Sequence, residues 1–176
     1  CIIETESKTL IAGCKNSVIP GDGSVTSIGH GAFYGFSEIT SITIPDSVTS
    51  IGMYAFGYCS SLASITMLSI NPPTIDSYTF DGTDSLERII VPAGCKNAYT
   101  SATNWSNYAS IIAAEPSIGL TYTLSDDGTE YSVSGIGTCT DTEIVIPSMY
   151  EGLPVTSIGD GAFSDRSRLT GITIPA

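Results

Sequence analysis

The chain has 176 residues, 41% of them hydrophobic, enough to bury a sizeable core as one domain or two small ones. Six Lys/Arg face 18 Asp/Glu, for a formal charge of −12; with no cationic cluster to neutralise phosphates, nucleic acid is excluded as a partner and attraction to an anionic membrane is disfavoured. No apolar run approaches the roughly 18 residues of a membrane-spanning helix.

The first residues, Cys1-Ile-Ile-Glu4 and Lys8-Thr-Leu-Ile-Ala12, are separated by Thr5-Glu6-Ser7 and predict a hairpin that covers the open first face of a stack. There is no initiating Met and no basic, apolar secretory leader. Then a repeat begins. Ile28, Ile51, Ile75 and Ile158 each precede a phenylalanine by five residues: Phe33, Phe56, Phe80 and Phe163. Each phenylalanine precedes an Ile or Leu by six: Ile39, Leu62, Leu86 and Leu169. Two further apolar residues come at fixed offsets, as Ile42 and Ile44 do in the first unit. Units start 23 and 24 residues apart, a period that specifies stacked supersecondary units rather than a globule with one centre.

Within each unit, at about 25–45, 48–68 and 72–92, one strand is expected with the pattern Ile/Leu-x-x-Ile-x-Ile, as in Ile39-Thr-Ser-Ile-Thr-Ile44. Its apolar positions point inward and Ser41 and Thr43 point out, because side chains alternate along a strand. Pro45, Pro92, Pro147 and Pro175 come after the last inward residue, where a missing N–H ends the ladder. Val48-Thr-Ser-Ile51-Gly52 reads as a second short extended piece, and Tyr54-Ala55-Phe56 as a single tight turn. The second unit lacks the proline ending and runs on through Met67-Leu-Ser-Ile-Asn-Pro-Pro73 as a bulged or extended edge. The third unit replaces alanine with Thr79. All four phenylalanines are expected to be buried.

After Pro92 the pattern fails. Ala93 to Ala114 carries Tyr99, Trp105 and Tyr108 among small polar residues, as expected of a helical turn or two that closes an array over its exposed apolar end. Glu115-Pro116-Ser117 reads as a boundary. Leu120 to Leu124 and Tyr131 to Val133 alternate with period two around Ser125-Asp-Asp-Gly-Thr129, a hairpin signal. Ile144-Val-Ile146 is a strand, and Val155-Thr-Ser-Ile158-Gly159 restarts the repeat. The predicted organisation is a hairpin cap plus repeats over 1–92, a closing segment and linker over 93–117, and a second hairpin plus repeats over 118–176. Leu169 to Ala176 stops where another unit would begin, which reads as a piece of a longer chain.

Val48-Thr-Ser-Ile-Gly-Met-Tyr-Ala-Phe-Gly-Tyr-Cys-Ser-Ser-Leu-Ala-Ser-Ile-Thr66 resembles the signature of BspA-like leucine-rich repeats, and Val25 to Pro45 and Val155 to Pro175 repeat it nearly unchanged. Val91-Pro-Ala-Gly-Cys-Lys-Asn-Ala-Tyr99 with Trp105 is similar to the closing element of such arrays, and Leu120 to Tyr131 to their opening hairpin. The resemblance implies a right-handed, β-rich leucine-rich-repeat solenoid with a parallel strand ladder, short 3-10 or helical turns and capping β-hairpins. It also implies a secreted or surface-attached protein, bacterial in most members, with an adhesive or protein-binding role. Extracellular or cell-surface localisation is the corresponding expectation.

Candidate chemistry is sparse. The single histidine, His30, occupies a position held by Met53 and Asp160 in other units, as an exposed turn residue would, and no G-x-S-x-G elbow accompanies it. Asp46, Asp81, Asp84, Asp126 and Asp127 sit beside Gly or Ser in turns, where side-chain to backbone hydrogen bonds explain them. No catalytic residues, and hence no enzyme, are expected. No cofactor is expected either; calcium is a minor alternative at Asp81-Gly-Thr-Asp84 or Asp126-Asp-Gly-Thr-Glu130, neither with EF-hand spacing. Cys1, Cys14, Cys59, Cys95 and Cys139 lack zinc-site spacing. Cys59, standing where Phe36 stands one unit earlier, reads as a small buried hydrophobe; Cys1 and Cys14 flank the first hairpin and could meet.

The remaining candidate surface is the outward strand row: Ser41, Thr43, Ser64, Thr66, Arg88, Ile90, Glu143, Val145, Gly171 and Thr173. Its small hydroxyl residues suit broad contact with a protein, in the leading reading a host-matrix or neighbouring-cell protein. Ile90 and Val145 are either covered by the inter-array segment or part of a contact patch. Two alternatives stand beside protein binding: glycan recognition by Tyr99, Trp105 and Tyr108, and a structural spacer.

Overall fold

The computed structural model describes residues 1–13 and 18–175, which fall into two compact units, Cys1–Ala113 and Ala114–Ala176. The first unit opens on an antiparallel hairpin, β1 (Ile2–Glu4) and β2 (Thr9–Ala12). Each coil then supplies two strands. The short ones are β3 (Ser27–Ile28), β5 (Ser50–Ile51) and β7 (Thr74–Ile75); the longer ones are β4 (Ser41–Ile44), β6 (Ser64–Met67) and β8 (Arg88–Val91). A helix α1 (Lys96–Ser101), a 3-10 turn (Trp105–Tyr108) and β9 (Ile112–Ala114) complete it. The strands form two sheets, β1-β2-β3-β5-β7 and β4-β6-β8-β9.

The sequence argued for one paired strand per coil, and the coil contains two. The short pieces pair in parallel, Ile28 beside Ile51 beside Ile75, and Thr49 and Thr74 extend that ladder by donating to the carbonyls of Thr26 and Thr49 at 2.9 Å each. The tight turns are laddered as well: Phe33 N–H donates to Ala55 at 2.8 Å and Phe56 N–H to Thr79 at 3.0 Å. A buried backbone group must find a partner. Here the partner comes from the adjacent coil along both sheets and at part of each turn, with the remaining turn N–H groups bonded inside their own coil. Where Pro45 ends one strand, the second coil has Leu68, whose N–H donates to Ile44 at 3.0 Å, one ladder bond that a proline would remove, although β6 itself ends at Met67.

Inward residues stack coil over coil. Ile42, Ile65 and Ile89 are in register and buried; Ile44 pairs with Met67, and both, like Val91, are buried. The rings of Phe33 and Phe56 lie 5.1 Å apart and 8° from parallel, those of Phe56 and Phe80 5.6 Å apart and 14° from parallel. Cys59 is fully buried, with its thiol donating to the Phe33 carbonyl at 3.0 Å. Thr79 is equally buried, yet its hydroxyl accepts from Asp76 N–H and donates to the Gly52 carbonyl, so the extra polar group is satisfied. The hairpin covers the first end: a side chain at Gly13 would meet the Phe33 ring at 2.0 Å, so only glycine allows this approach. At the other end Phe80 meets Trp105 at 6.1 Å and the edge of Tyr108 at 5.3 Å.

The second unit is smaller. β10 (Thr121–Leu124) and β11 (Tyr131–Gly135) form the expected hairpin, and β11 pairs in parallel with β14 (Leu153–Ile158). β12 (Glu143–Val145) pairs in parallel with β15 (Gly171–Thr173). A further hairpin joins β13 (Met149–Tyr150) to β14 through Glu151 and Gly152, both at positive φ. Leu120, Val133, Ile136, Ile144, Ile146 and Val155 form the core.

Phe163 corrects the expectation of four buried rings: it is half-buried, packed on that core from one side. Ile158, Ile172 and Ile174, in phase with buried residues of the first unit, are exposed. The reason is common to all four. Among the described residues, no further coil lies on their outer side.

Phe56→Ala should destabilise the chain by about 3–5 kcal/mol in chemical denaturation, because it opens a cavity between two stacked rings. Thr66→Ala on the outward face should stay within about 0.5 kcal/mol.

Candidate functional site

The strand ladders settle where the outward residues lie. Ser41, Ser64 and Arg88 are in register, and so are Thr43, Thr66 and Ile90. Ser41, Thr43 and Arg88 are exposed and Ser64, Thr66 and Ile90 half-buried, giving a flat row of mostly hydroxyl side chains on the first unit. In the second unit, Glu143 faces Gly171 and Val145 faces Thr173 in a separate pair of strands. Ile90 lies on the strand flanked by β9. Val145 exchanges hydrogen bonds with Ser117, its N–H donating to Oγ at 3.0 Å and its carbonyl accepting from Ser117 N–H at 2.8 Å. Both apolar residues are half-buried beside the segment that comes after the first array.

A second surface of the first unit was missed by the sequence reading. The tight turns carry Tyr34, Tyr54, Tyr58 and Tyr78, and the rings touch in a continuous chain. Tyr34 to Tyr58 is 5.4 Å, Tyr34 to Tyr54 6.2 Å and Tyr54 to Tyr78 5.6 Å, with the His30 ring 6.3 Å from Tyr54. Tyr34, Tyr58 and Tyr78 are 54%, 52% and 51% exposed. Tyr54 and Tyr58 adopt positive φ, 54° and 57°, at positions where the preceding coil has Gly31 and Gly35 with φ of 63° and 73°. A bulky residue there costs on the order of 1–2 kcal/mol that glycine does not. The Tyr58 ring lies over Gly82, where a side chain would approach it to 2.8 Å. Partial burial, and after it the Asp81 carboxylate, pushes the Tyr54 hydroxyl above its ordinary range.

The BspA type Leucine rich repeat region matches residues 10–118 in six copies. The chain belongs to the BspA-type leucine-rich-repeat family. No curated protein matches it. The matched span covers the first unit from residue 10 onward and ends at residue 118, just inside the second; in the second unit β12 pairs in parallel with β15. Such leucine-rich repeats are interaction scaffolds, and no helix among the described residues is long and apolar enough to cross a membrane.

In this BspA-type array the other candidate residues serve the fold. Tyr99 and Trp105 are fully buried, ring edge to face at 5.1 Å. Trp105 Nε1–H donates to the Pro73 carbonyl at 2.7 Å, Tyr99 O–H to Ser69 at 2.8 Å and Asn104 Nδ2–H to Ile75 at 2.8 Å. This corrects the glycan reading of the segment: neither Tyr99 nor Trp105 has a face left to stack on a sugar, because both close the array, and Tyr108 is half-buried with its edge on Phe80. Asp127 accepts from Ser125 Oγ–H, Thr129 Oγ1–H and Thr129 N–H, which fixes the hairpin turn and holds its carboxyl below the ordinary value. Among the described residues, no three His, Cys, Asp or Glu side chains converge on a metal site. Burial pushes the Cys59 thiol up, as suits an inert core sulfur. Cys1 is exposed, and its suggested pairing with Cys14 lies outside the described residues.

The cap makes stability pH-dependent. Burial raises the Tyr99 hydroxyl far above its ordinary 10.0, so the folded chain keeps this proton after the unfolded chain releases it. The contribution is fully present below pH 10.0 and is lost as pH climbs toward the folded value. Urea midpoints should therefore fall above pH 10.0, and Tyr99→Phe should flatten that fall while costing about 1–3 kcal/mol at neutral pH through the orphaned Ser69 carbonyl.

Proposed function

We propose that this chain is a non-enzymatic, extracellular protein-binding module that adheres to a host-matrix or neighbouring-cell protein through its strand face. The observation that carries this reading is the register Ser41–Ser64–Arg88 and Thr43–Thr66–Ile90, which sets four hydroxyl side chains on two parallel strands beside Arg88 and Ile90 on a third. Short hydroxyl side chains lose little rotamer freedom on contact, and three hydrogen-bonded strands hold them at fixed spacing. A partner with a matching flat face can thus meet many weak donors and acceptors at once. Extracellular localisation is supported by the habit of the family. A non-catalytic role is supported by the turn and capping duties of the acidic and aromatic residues.

The test is retention from a decellularised matrix extract by immobilised chain, compared with the variant Thr43→Lys/Thr66→Glu. These two positions face each other across neighbouring strands, so the introduced charges pair and leave stability near wild type while roughening the face. Wild type should retain specific matrix proteins that the variant loses. Equal retention by both would remove the strand face as the contact.

A further inference from the structure

The tyrosine chain of the first unit lies outside its buried core. Two of its four rings occupy left-handed backbone positions at which the neighbouring coil uses glycine, and three are more than half exposed. Strained, exposed aromatic side chains that converge across three coils point to a ligand surface.

Its electrostatics point to the ligand's charge. Residues 18–87, which contain the whole tyrosine surface, carry seven carboxylates (Asp22, Glu38, Asp46, Asp76, Asp81, Asp84 and Glu87) and no Lys or Arg, and the His30 ring lies beside Tyr54. Two of these carboxylates stand on the turn of Tyr78: Asp76 Oδ1 accepts from Tyr78 N–H at 3.0 Å, and Asp81 accepts through its carbonyl from Tyr58 N–H at 2.7 Å. An aromatic face is the negative end of the ring quadrupole, so tyrosines in an anionic field favour a cation over a neutral or acidic group. A second copy of this chain, itself at −12, is disfavoured for the same reason.

We propose that Tyr34, Tyr54, Tyr58 and Tyr78, with Asp81, form a docking surface for an extended, Lys/Arg-rich segment of a protein partner. Alternate cationic side chains lie over the exposed Tyr34, Tyr58 and Tyr78 rings, and Asp81 supplies a counter-charge. This deepens the protein-binding reading and rests on it, but it uses a different face from the strand row.

The test titrates the whole chain with labelled hexaarginine, hexalysine, hexaglutamate and a neutral hexasaccharide. Hexaarginine and hexalysine should bind, more tightly at low salt, and hexaglutamate should not. Tyr58→Gly, which restores the residue type of Gly35 and Gly82, should weaken hexaarginine binding roughly tenfold with an unchanged or higher Tm; a structural role alone predicts a lower Tm and unchanged binding. Asp81→Asn should weaken binding in the same direction and reduce its salt dependence. Equal affinity in wild type, Tyr58→Gly and Asp81→Asn would show diffuse charge attraction and overturn the proposal. So would absence of hexaarginine binding, or preferential binding of the hexasaccharide. Thr43→Lys/Thr66→Glu separates the two readings: it should keep hexaarginine binding, and if it abolishes it this docking surface falls while the strand face stands.

Discussion

No coil of this protein has a core of its own. A coil of about two dozen residues cannot enclose its apolar side chains, so the interaction on which everything depends is the contact between neighbours: Phe33 on Phe56 on Phe80, with the backbone of each coil bonded to the next along both sheets and at the turns. Ends are then the weak points, and the first unit closes both. The β1–β2 hairpin lies against Phe33, and Trp105 with Tyr108 lies against Phe80. In the second unit Phe163 packs against the core and, among the described residues, is only half-buried.

The same constraint divides the sequence into positions that cannot vary and positions that can. Inward sites accept Ile, Val, Leu, Met, Phe or, at Cys59 and Thr79, a polar atom with a backbone partner. Outward sites vary without penalty to the stack, as Ser41, Ser64 and Arg88 show at one register position. What is free to vary in a BspA-type array is therefore on the outside, in the strand row and in the turns, over a scaffold that stays the same. The turn tyrosines illustrate how far that can go, since Tyr54 and Tyr58 stand where the backbone itself would favour glycine.

Legibility in the chain depends on recurrence at constant phase. Ile28, Ile51 and Ile75 recur with their phenylalanines, so the core columns and the alignment of Ser41 with Ser64 and Arg88 are visible in the sequence. The cap was visible because Tyr99 and Trp105 break the phase just after the last regular strand. The tyrosine surface was not, because its members sit at different phases. Tyr54 and Tyr78 come three residues after their isoleucines, Tyr34 six and Tyr58 seven, and only the turn brings them together. The β13–β14 hairpin was legible in principle from Glu151-Gly152 between Tyr150 and Leu153, a two-residue left-handed turn, but it interrupts the repeat and so fell between patterns.

The most direct measurement is a pair of double-mutant cycles in chemical denaturation, one on Phe33 and Phe56 and one on Phe33 and Phe80. Stacked columns predict a coupling of about 0.5–1.5 kcal/mol for the adjacent rings and nearly none for the rings separated by a coil. Equal couplings in the two cycles, or none in the first, would contradict a fold held together coil by coil.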